Sequence, residues 1–173
     1  MLRKSIFLTG AAALLSSQLV SADARVTVAH FAPFADTIEG TSVSVLLNDT
    51  VALENVVFKQ FTDYIPLPAG EYKVDIVPTG TNVVAMTATY NLVDGQDYTV
   101  YAQGNGTFQP LELVALADDN TAPAAGNVKV QIVHAAPFAP TSEGTEVSIR
   151  TAGGDLVAGL QGVPYKLSLI HIS

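Results

Sequence analysis

The sequence predicts an all-β protein, built as an antiparallel β-sandwich, and three observations predict it. Apolar and polar residues alternate with a period of two in several short segments. Turn-forming residues separate these segments, and no segment keeps a helical period for three turns. The chain has 173 residues, of which 49% are apolar and 14% charged. This composition supplies a hydrophobic core and is enough for one domain and a fraction of another.

The first residues of the chain have the three-part form of a secretory signal. Arg3 and Lys4 precede an uncharged apolar run over residues 6–15, and Val20-Ser21-Ala22 fits a cleavage site. The run is shorter than the ~20 apolar residues that span a bilayer. We therefore expect a cleaved signal at residues 1–22 rather than a membrane anchor. The mature chain would then have no membrane span, and the protein would be periplasmic, cell-surface or extracellular.

The body of the chain, residues 25–117, is predicted to contain about seven short strands. Alternating segments surround Val26, Val43, Val74, Tyr90 and Val100. Turns are predicted at three places, of which the last two are hairpin-type pairs: Pro68-Ala69-Gly70, Asp94-Gly95 and Asn105-Gly106. The strand count and spacing are typical of an immunoglobulin-like or prealbumin-like sandwich. The Cys-Trp-Cys core of a true immunoglobulin domain is excluded, because the chain has no Cys and no Trp.

A long internal repeat follows this body. Residues 118–127 have no apolar pattern and are predicted to form a linker. The sixteen residues that begin at His30 recur 104 positions later, beginning at His134, and eleven of them are identical. A period near 100 residues indicates a domain duplication rather than a solenoid. We therefore expect residues 128–166 to be the N-terminal part of a second, truncated copy of the domain.

The similarity between the two copies stops abruptly after Lys166. Residues 167–173 read Leu-Ser-Leu-Ile-His-Ile-Ser, the peptide that a common sequencing adapter encodes when it is translated in frame. We expect these residues to be adapter read-through on a gene fragment. The alternative is a natural terminal strand, since the segment also alternates in the manner of a strand.

Charge and cysteine content exclude several classes of function. The chain has 8 basic and 16 acidic residues and a pI near 4.6, which argues against nucleic-acid binding. Without the signal the net charge becomes −10, since Arg3 and Lys4 are lost, and this argues against anionic membranes. The absence of Cys excludes disulfides, thiolate zinc sites and a Cys nucleophile.

The two motif histidines are the first candidates for ligand contact. His30 shares its strand face with Val26 and Val28, and His134 shares its face with Val130 and Ile132, so each should point inward. Either histidine could serve as a ligand or a base. The favoured alternative is a hydrogen-bonded histidine that closes one end of the sandwich.

The loop after each histidine supplies the other candidates. Asp36 and Glu39 could contribute oxygen ligands to calcium, but Pro140 replaces Asp36 in the second motif, where Glu143 keeps the position of Glu39. A solvated turn is therefore favoured for this loop. The aromatic residues of the motifs, Phe34 and Phe138, could form a binding surface for a protein or glycan, although capping of the core is favoured.

No catalytic motif is recognisable, and no cofactor is expected. Paired carboxylates for a hydrolase could be drawn from acids on several strands, including Asp63, Glu71, Asp75 and Glu112. Asp94 and Asp97 resemble a fragment of a calcium loop that lacks the other ligands, so a hairpin turn is favoured there. An extracellular carboxylate-dependent hydrolase and a calcium-stabilised surface module remain as alternatives to a non-catalytic module.

Three ordered segments carry a resemblance to a known family. They are Arg25-Val26-Thr27-Val28-Ala29-His30 followed by Ala32-Pro33, then residues 62–72, then residues 92–100. The chain resembles the secreted bacterial family called domain of unknown function 4397, fully over residues 25–117 and partially over residues 128–166. The resemblance implies tandem β-sandwich domains in exported or cell-surface proteins, with no established activity and no known catalytic residues. Phe34 and Phe138 stand where the family often has an acidic residue.

These observations together predict an exported, non-catalytic β-sandwich module of the bacterial cell envelope or extracellular space. Its role would be adhesion, scaffolding or ligand binding, with an unknown protein or glycan at the cell surface as its partner. The sequence does not fix the oligomeric state.

Overall fold

A computed structural model describes residues 22–141 and 143–172, and of residues 169–172 it describes the backbone only. Ten strands occur in these residues. They are β1 (Ala24–His30), β2 (Val43–Leu47), β3 (Thr50–Val56), β4 (Ile65–Leu67), β5 (Gly70–Pro78), β6 (Met86–Leu92), β7 (Asp97–Gln103), β8 (Glu112–Asp118), β9 (Lys129–Val133) and β10 (Ser168–Ile172). Two short 3₁₀ turns span Glu39–Thr41 and Glu143–Thr145. The predicted all-β class is therefore confirmed. The predicted signal segment, apart from its final residue, lies outside the described residues.

The first eight strands form two four-stranded sheets. One has the order β4-β1-β7-β8 and the other β3-β2-β5-β6. All of their pairings are antiparallel except that of β1 with β7, which is parallel from Arg25↔Asp97 to His30↔Ala102. The sheets are therefore mostly antiparallel, as predicted, with one parallel pair that the prediction did not include. The physical reason is that the alternation of a strand is the same whichever way its neighbour runs.

The two sheets share one hydrophobic core. Val43, Val45, Val74 and Ile76 come from one sheet and pack in a buried cluster with Ala102 of the other. A second cluster around Val26 and Val100 continues the core toward the start of β1. Inward residues alternate with outward ones, as in β6, where Met86 and Leu92 are buried and Thr87, Thr89 and Asn91 are exposed. This packing of two sheets face to face is a β-sandwich.

The predicted turns lie between strands, but one of them has a different role. Asn105-Gly106 lies in the connection between β7 and β8, which pair as a hairpin. Asp94-Gly95 was predicted to close a hairpin, yet β6 and β7 belong to different sheets. Gly95 has φ +70°, and Gln96 N donates to Val93 O at 3.1 Å, so this turn carries the chain across the sandwich. It does so because β7 pairs with β1 rather than with β6.

The remaining strands, β9 and β10, form a two-stranded antiparallel sheet. Ser168 pairs with Val133, and the register continues to Ile172 opposite Lys129. Most of the segment that we expect to be adapter read-through is thus a strand, and this pairing does not test where the segment comes from. Within residues 22–141 and 143–172, no helix has the length and hydropathy needed to cross a membrane.

Candidate functional site

His30 lies at the end of β1 and is held through both ring nitrogens. The ring is buried, with 2% of the residue exposed. Nε2 lies 2.9 Å from the carbonyl oxygen of Thr41, and Nδ1 accepts a hydrogen bond from the amide of Ala32 at 3.2 Å. Since a carbonyl only accepts and an amide only donates, this geometry requires the neutral tautomer with the proton on Nε2. His30 therefore connects β1 to the 3₁₀ turn.

The protonation of His30 follows from the same surroundings. Burial lowers the pKa of His30 below its ordinary value of 6.5, and the hydrogen bond to Thr41 opposes this effect only in part. The ring of Phe34 stacks on the imidazole at a centroid distance of 5.7 Å. Phe34 is half-buried and packs against the hydrophobic core. The imidazole in this arrangement has no free nitrogen for a metal ion or for a proton in transfer.

His134 makes the corresponding contacts in the second motif. Nε2 lies 2.6 Å from the carbonyl oxygen of Thr145, and Nδ1 accepts from the amide of Ala136 at 3.4 Å. Phe138 stacks on the ring at 6.0 Å. Unlike Phe34, Phe138 is 54% exposed.

The acidic candidates of the two motifs point to solvent. Asp36, Glu39 and Glu143 are all exposed. Their loops are organised by hydroxyl groups instead, since the Oγ1 atoms of Thr37 and Thr141 accept from the amides of Gly40 and Gly144, each at 3.1 Å. Among the residues that the structure describes, no three His, Asp or Glu side chains come together as a group able to hold a metal ion.

The other carboxylates that the sequence offered have separate surroundings. Asp63 and Glu71 are exposed. Asp75 is buried, lies 2.9 Å from Lys73 Nζ and accepts from Thr87 Oγ1 at 2.6 Å. The hydrogen bonds of Asp75 with Thr87 and Lys73 lower the pKa of its carboxyl. Both oxygens of Asp75 are thus engaged in contacts within one sheet.

An apolar groove joins the two histidine motifs on the surface. It has a volume of about 410 Å³. Its lining includes Phe31, Pro33, Phe58, Val133, Pro137 and Phe138. The side-chain amide of Asn105 donates to the carbonyl of Pro137 at 3.2 Å, beside this groove. The structure therefore places Phe138 in one groove with Phe31 of the first motif, whereas Phe34, the other aromatic candidate, does not line it.

A polar cluster that the sequence analysis missed lies where β1 and β7 begin. Arg25 Nε donates to Asp97 Oδ1 at 2.7 Å, and Asn120 Nδ2 donates to Asp97 Oδ2 at 2.6 Å. Asp97 is 7% exposed, and its hydrogen bonds with Arg25 and Asn120 lower the pKa of its carboxyl. Arg25 and Asp97 are 72 residues apart, so no local sequence signal indicated the pair.

The neighbouring carboxylate, Asp118, is also buried. Its Oδ2 accepts from Tyr64 Oη at 2.9 Å and from Thr99 Oγ1 at 2.8 Å. Its Oδ1 is buried and has no hydrogen-bond partner among the described residues. Asp118 lines a polar cleft of about 320 Å³, together with Lys129 and Gln131. These hydrogen bonds tie the end of β8 to β7 and to Tyr64, the residue just before β4.

A second group of polar side chains lies beside Glu112 on β8. Glu112 accepts from Gln103 Nε2 at 2.5 Å and pairs with Lys166 Nζ at 2.7 Å. Burial, with the nearby charge of Glu112, raises the pKa of Tyr165 to about 12. The ion pair of Glu112 with Lys166 connects the sandwich to the chain just before β10.

The family model described as "Domain of unknown function (DUF4397)" matches residues 24–142. No curated protein matches the chain.

Proposed function

Because the chain belongs to the DUF4397 family, we propose that it is an exported, non-catalytic β-sandwich module of the bacterial cell envelope or extracellular space. Its role is adhesion, scaffolding or ligand binding, with a protein or glycan at the cell surface as its partner. The sandwich is of the immunoglobulin-like or prealbumin-like kind. Residues 128–166 are proposed as part of a second copy.

The observation that carries the proposal is the hydrogen bonding of His30. A general base needs a ring nitrogen that can take a proton from substrate. Both nitrogens of His30 are instead bonded to backbone groups in a buried position. The histidine of the repeated motif is thus bonded within the fold and is not free to act on a substrate. The same contacts recur at His134, which supports the proposed duplication.

Export is tested by expressing the whole chain in a bacterial host. We expect the protein in the periplasm or medium, with a mature N-terminus at Asp23 by mass spectrometry, because Val20-Ser21-Ala22 fits the cleavage site. A double change, Leu14→Arg with Leu15→Arg, should keep the chain in the cytoplasm, since it places charge in the apolar run. An unprocessed wild-type chain in the cytoplasm would contradict export.

The binding role is tested by the partition of the exported chain between cells and medium. Phe138→Ser should shift it toward the medium, because this exposed ring lies in the apolar groove. Phe108→Ser is the matched control, since Phe108 is also exposed, at 44%, and does not line the groove. Turnover of a cell-wall glycan that is lost on changing Asp97 or Asp118 would instead identify a hydrolase.

A further inference from the structure

The core of the sandwich contains a cavity between its two sheets. The cavity has a volume of about 150 Å³ and is lined by residues of β1, β2, β3, β4, β5, β7 and β8. Val45 and Val74 line it from one sheet, and Val28, Val100 and Ala102 line it from the other. A space of this size is well above that of a single water molecule. It is therefore large enough for an organic molecule.

The cavity reaches the surface at one edge of the sandwich. Ala52 on β3 lines the cavity and is exposed. Ile65 and Leu67 on β4 also line it and are half-buried. Strands β3 and β4 are the edge strands of their sheets. The opposite edges, β6 and β8, contact each other across the sandwich. The sheets therefore leave a mouth beside Ala52.

The residues that line the cavity determine which kind of ligand it can bind. Sixteen of the eighteen lining residues are Ala, Val, Leu or Ile. The other two are Tyr101 and His30, and the nitrogens of His30 are already bonded to backbone. A charged ligand would lose its hydration without gaining a partner. Cavities lined by aliphatic residues stay dry, and one of about 150 Å³ accepts a benzene molecule.

We propose that this cavity is a binding site for a small, uncharged, apolar molecule, either a single aromatic ring or a short alkyl chain. The ligand passes between β3 and β4 at Ala52. This inference deepens the ligand-binding part of the proposed function and rests on it, but it does not depend on export.

The test is a titration with toluene and with benzoate of the chain purified from whichever compartment of the host contains it. Methyl NMR signals of Val28, Val45 and Val74 report on the cavity. Toluene should shift these signals saturably and raise the temperature of unfolding. Benzoate has the same ring with a charge and should bind at least tenfold more weakly. Absence of a saturable toluene shift at these methyl groups would overturn the proposal.

Two variants separate the cavity from the rest of the surface. Ala102→Leu fills the cavity from its buried wall and should weaken toluene binding at least tenfold. Ala117→Leu makes the same change at an exposed position of β8 that does not line the cavity, and it should bind as the wild type does. Equal toluene affinity in a folded Ala102→Leu variant would overturn the proposal.

A further variant guards against a failure of Ala102→Leu to fold. Ala52→Phe covers the mouth from an exposed position and should slow toluene association at least tenfold. An unchanged association rate would contradict the proposed path. Toluene binding by a chain that is not exported would leave this inference standing and overturn only the export proposal. An exported chain that does not bind toluene would overturn the cavity proposal and leave the export proposal standing.

Discussion

His30 shows how a side chain that looks catalytic can serve the backbone. Its two nitrogens bond groups that would otherwise be buried without partners, the Thr41 carbonyl and the Ala32 amide. An unsatisfied buried polar group costs about 1–3 kcal/mol. Thr41 is itself buried, and its hydroxyl accepts from the amide of Phe58 at 2.9 Å. The turn, β1 and the segment after β3 are thus held together at one point.

Stability should depend on pH through His30. Its pKa is lowered by burial from an ordinary value of 6.5, so the unfolded chain takes up the proton first as the pH falls. The free energy of unfolding contributed by His30 is therefore complete above 6.5 and decreases below it. We expect the advantage of wild type over His30→Gln, about 1–3 kcal/mol near pH 7, to shrink by about pH 5.

Urea unfolding of both proteins at the two pH values measures this effect. Asp75 and Asp97 do not disturb the comparison, because their carboxyl pKa values are lowered below 3.8. A difference between wild type and variant that stays constant or grows with acid would show that His30 is charged in the folded protein.

At the scale of elements, the connection between β7 and β8 depends on one glycine. Gly104 has φ +90°, and a Cβ atom there would lie 2.0 Å from the carbonyl oxygen of Pro110. Gly106 also has a positive φ, of +73°, but its nearest neighbour would be Leu111 Cγ at 3.9 Å. The first glycine is needed for space as well as for conformation, whereas the second is needed for conformation only.

Gly104→Ala should therefore destabilise the protein far more than Gly106→Ala. We expect a loss of about 3 kcal/mol or more for Gly104→Ala, from backbone strain and overlap together. For Gly106→Ala we expect about 1–2 kcal/mol, from its positive φ. Equilibrium unfolding of the two variants gives the comparison, and equal losses would contradict the close approach of Pro110.

Several elements could be predicted from the sequence and others could not. The segments around Val26, Val43, Val74, Tyr90 and Val100 alternate clearly, and each is a strand. Strand β3 was not singled out, because its middle reads Ala-Leu-Glu-Asn and much of it is exposed. Strand β4 has only three residues and contains Pro66, which is typical of an edge strand.

The candidate site divides in the same way. The inward direction of His30 follows from its sharing a strand face with Val26 and Val28, because alternate residues of a strand point to the same side. This information is local. The cluster of Arg25, Asp97 and Asn120 depends on the parallel pairing of β1 with β7 and on the path taken after β8. Such long-range pairings leave no trace in a single segment. The core cavity was equally hidden, because it depends on how far apart the sheets lie.

At the scale of the whole molecule, an ion pair helps to join the sandwich of β1–β8 to the two-stranded sheet of β9 and β10. Lys129 on β9 pairs with Asp119 at 2.7 Å and also donates to the carbonyl and hydroxyl of Thr121. The pKa of Asp119 is lowered to about 2. The largest cause is the hydrogen bond from Lys129, and the hydrogen bonds from Thr121 come next. The segment after β8 is thereby folded back onto the first residue of β9.

The Lys129→Met variant should raise the pKa of Asp119 toward its ordinary value of 3.8. The rise should be incomplete, because the hydrogen bonds from Thr121 remain. In the wild type, the stability that Asp119 contributes is present above 3.8 and is lost as the pH falls toward 2. A carboxyl NMR titration measures the change, and Lys59→Met serves as a control. An unchanged pKa in Lys129→Met would show that the ion pair does not form.

The parallel pairing of β1 with β7 also determines the order in which the chain can fold. Strand β1 lies between β4 and β7. Arg25 on β1 pairs with Asp97 on β7, which is 72 positions later in the chain. Contacts of such large sequence separation require a costly loop closure before they stabilise anything, which slows folding. A growing chain therefore cannot complete this sheet until residues 97–103 have been synthesised. Until then the first strand remains unpaired on one side, and this open edge can pair with a strand of another chain.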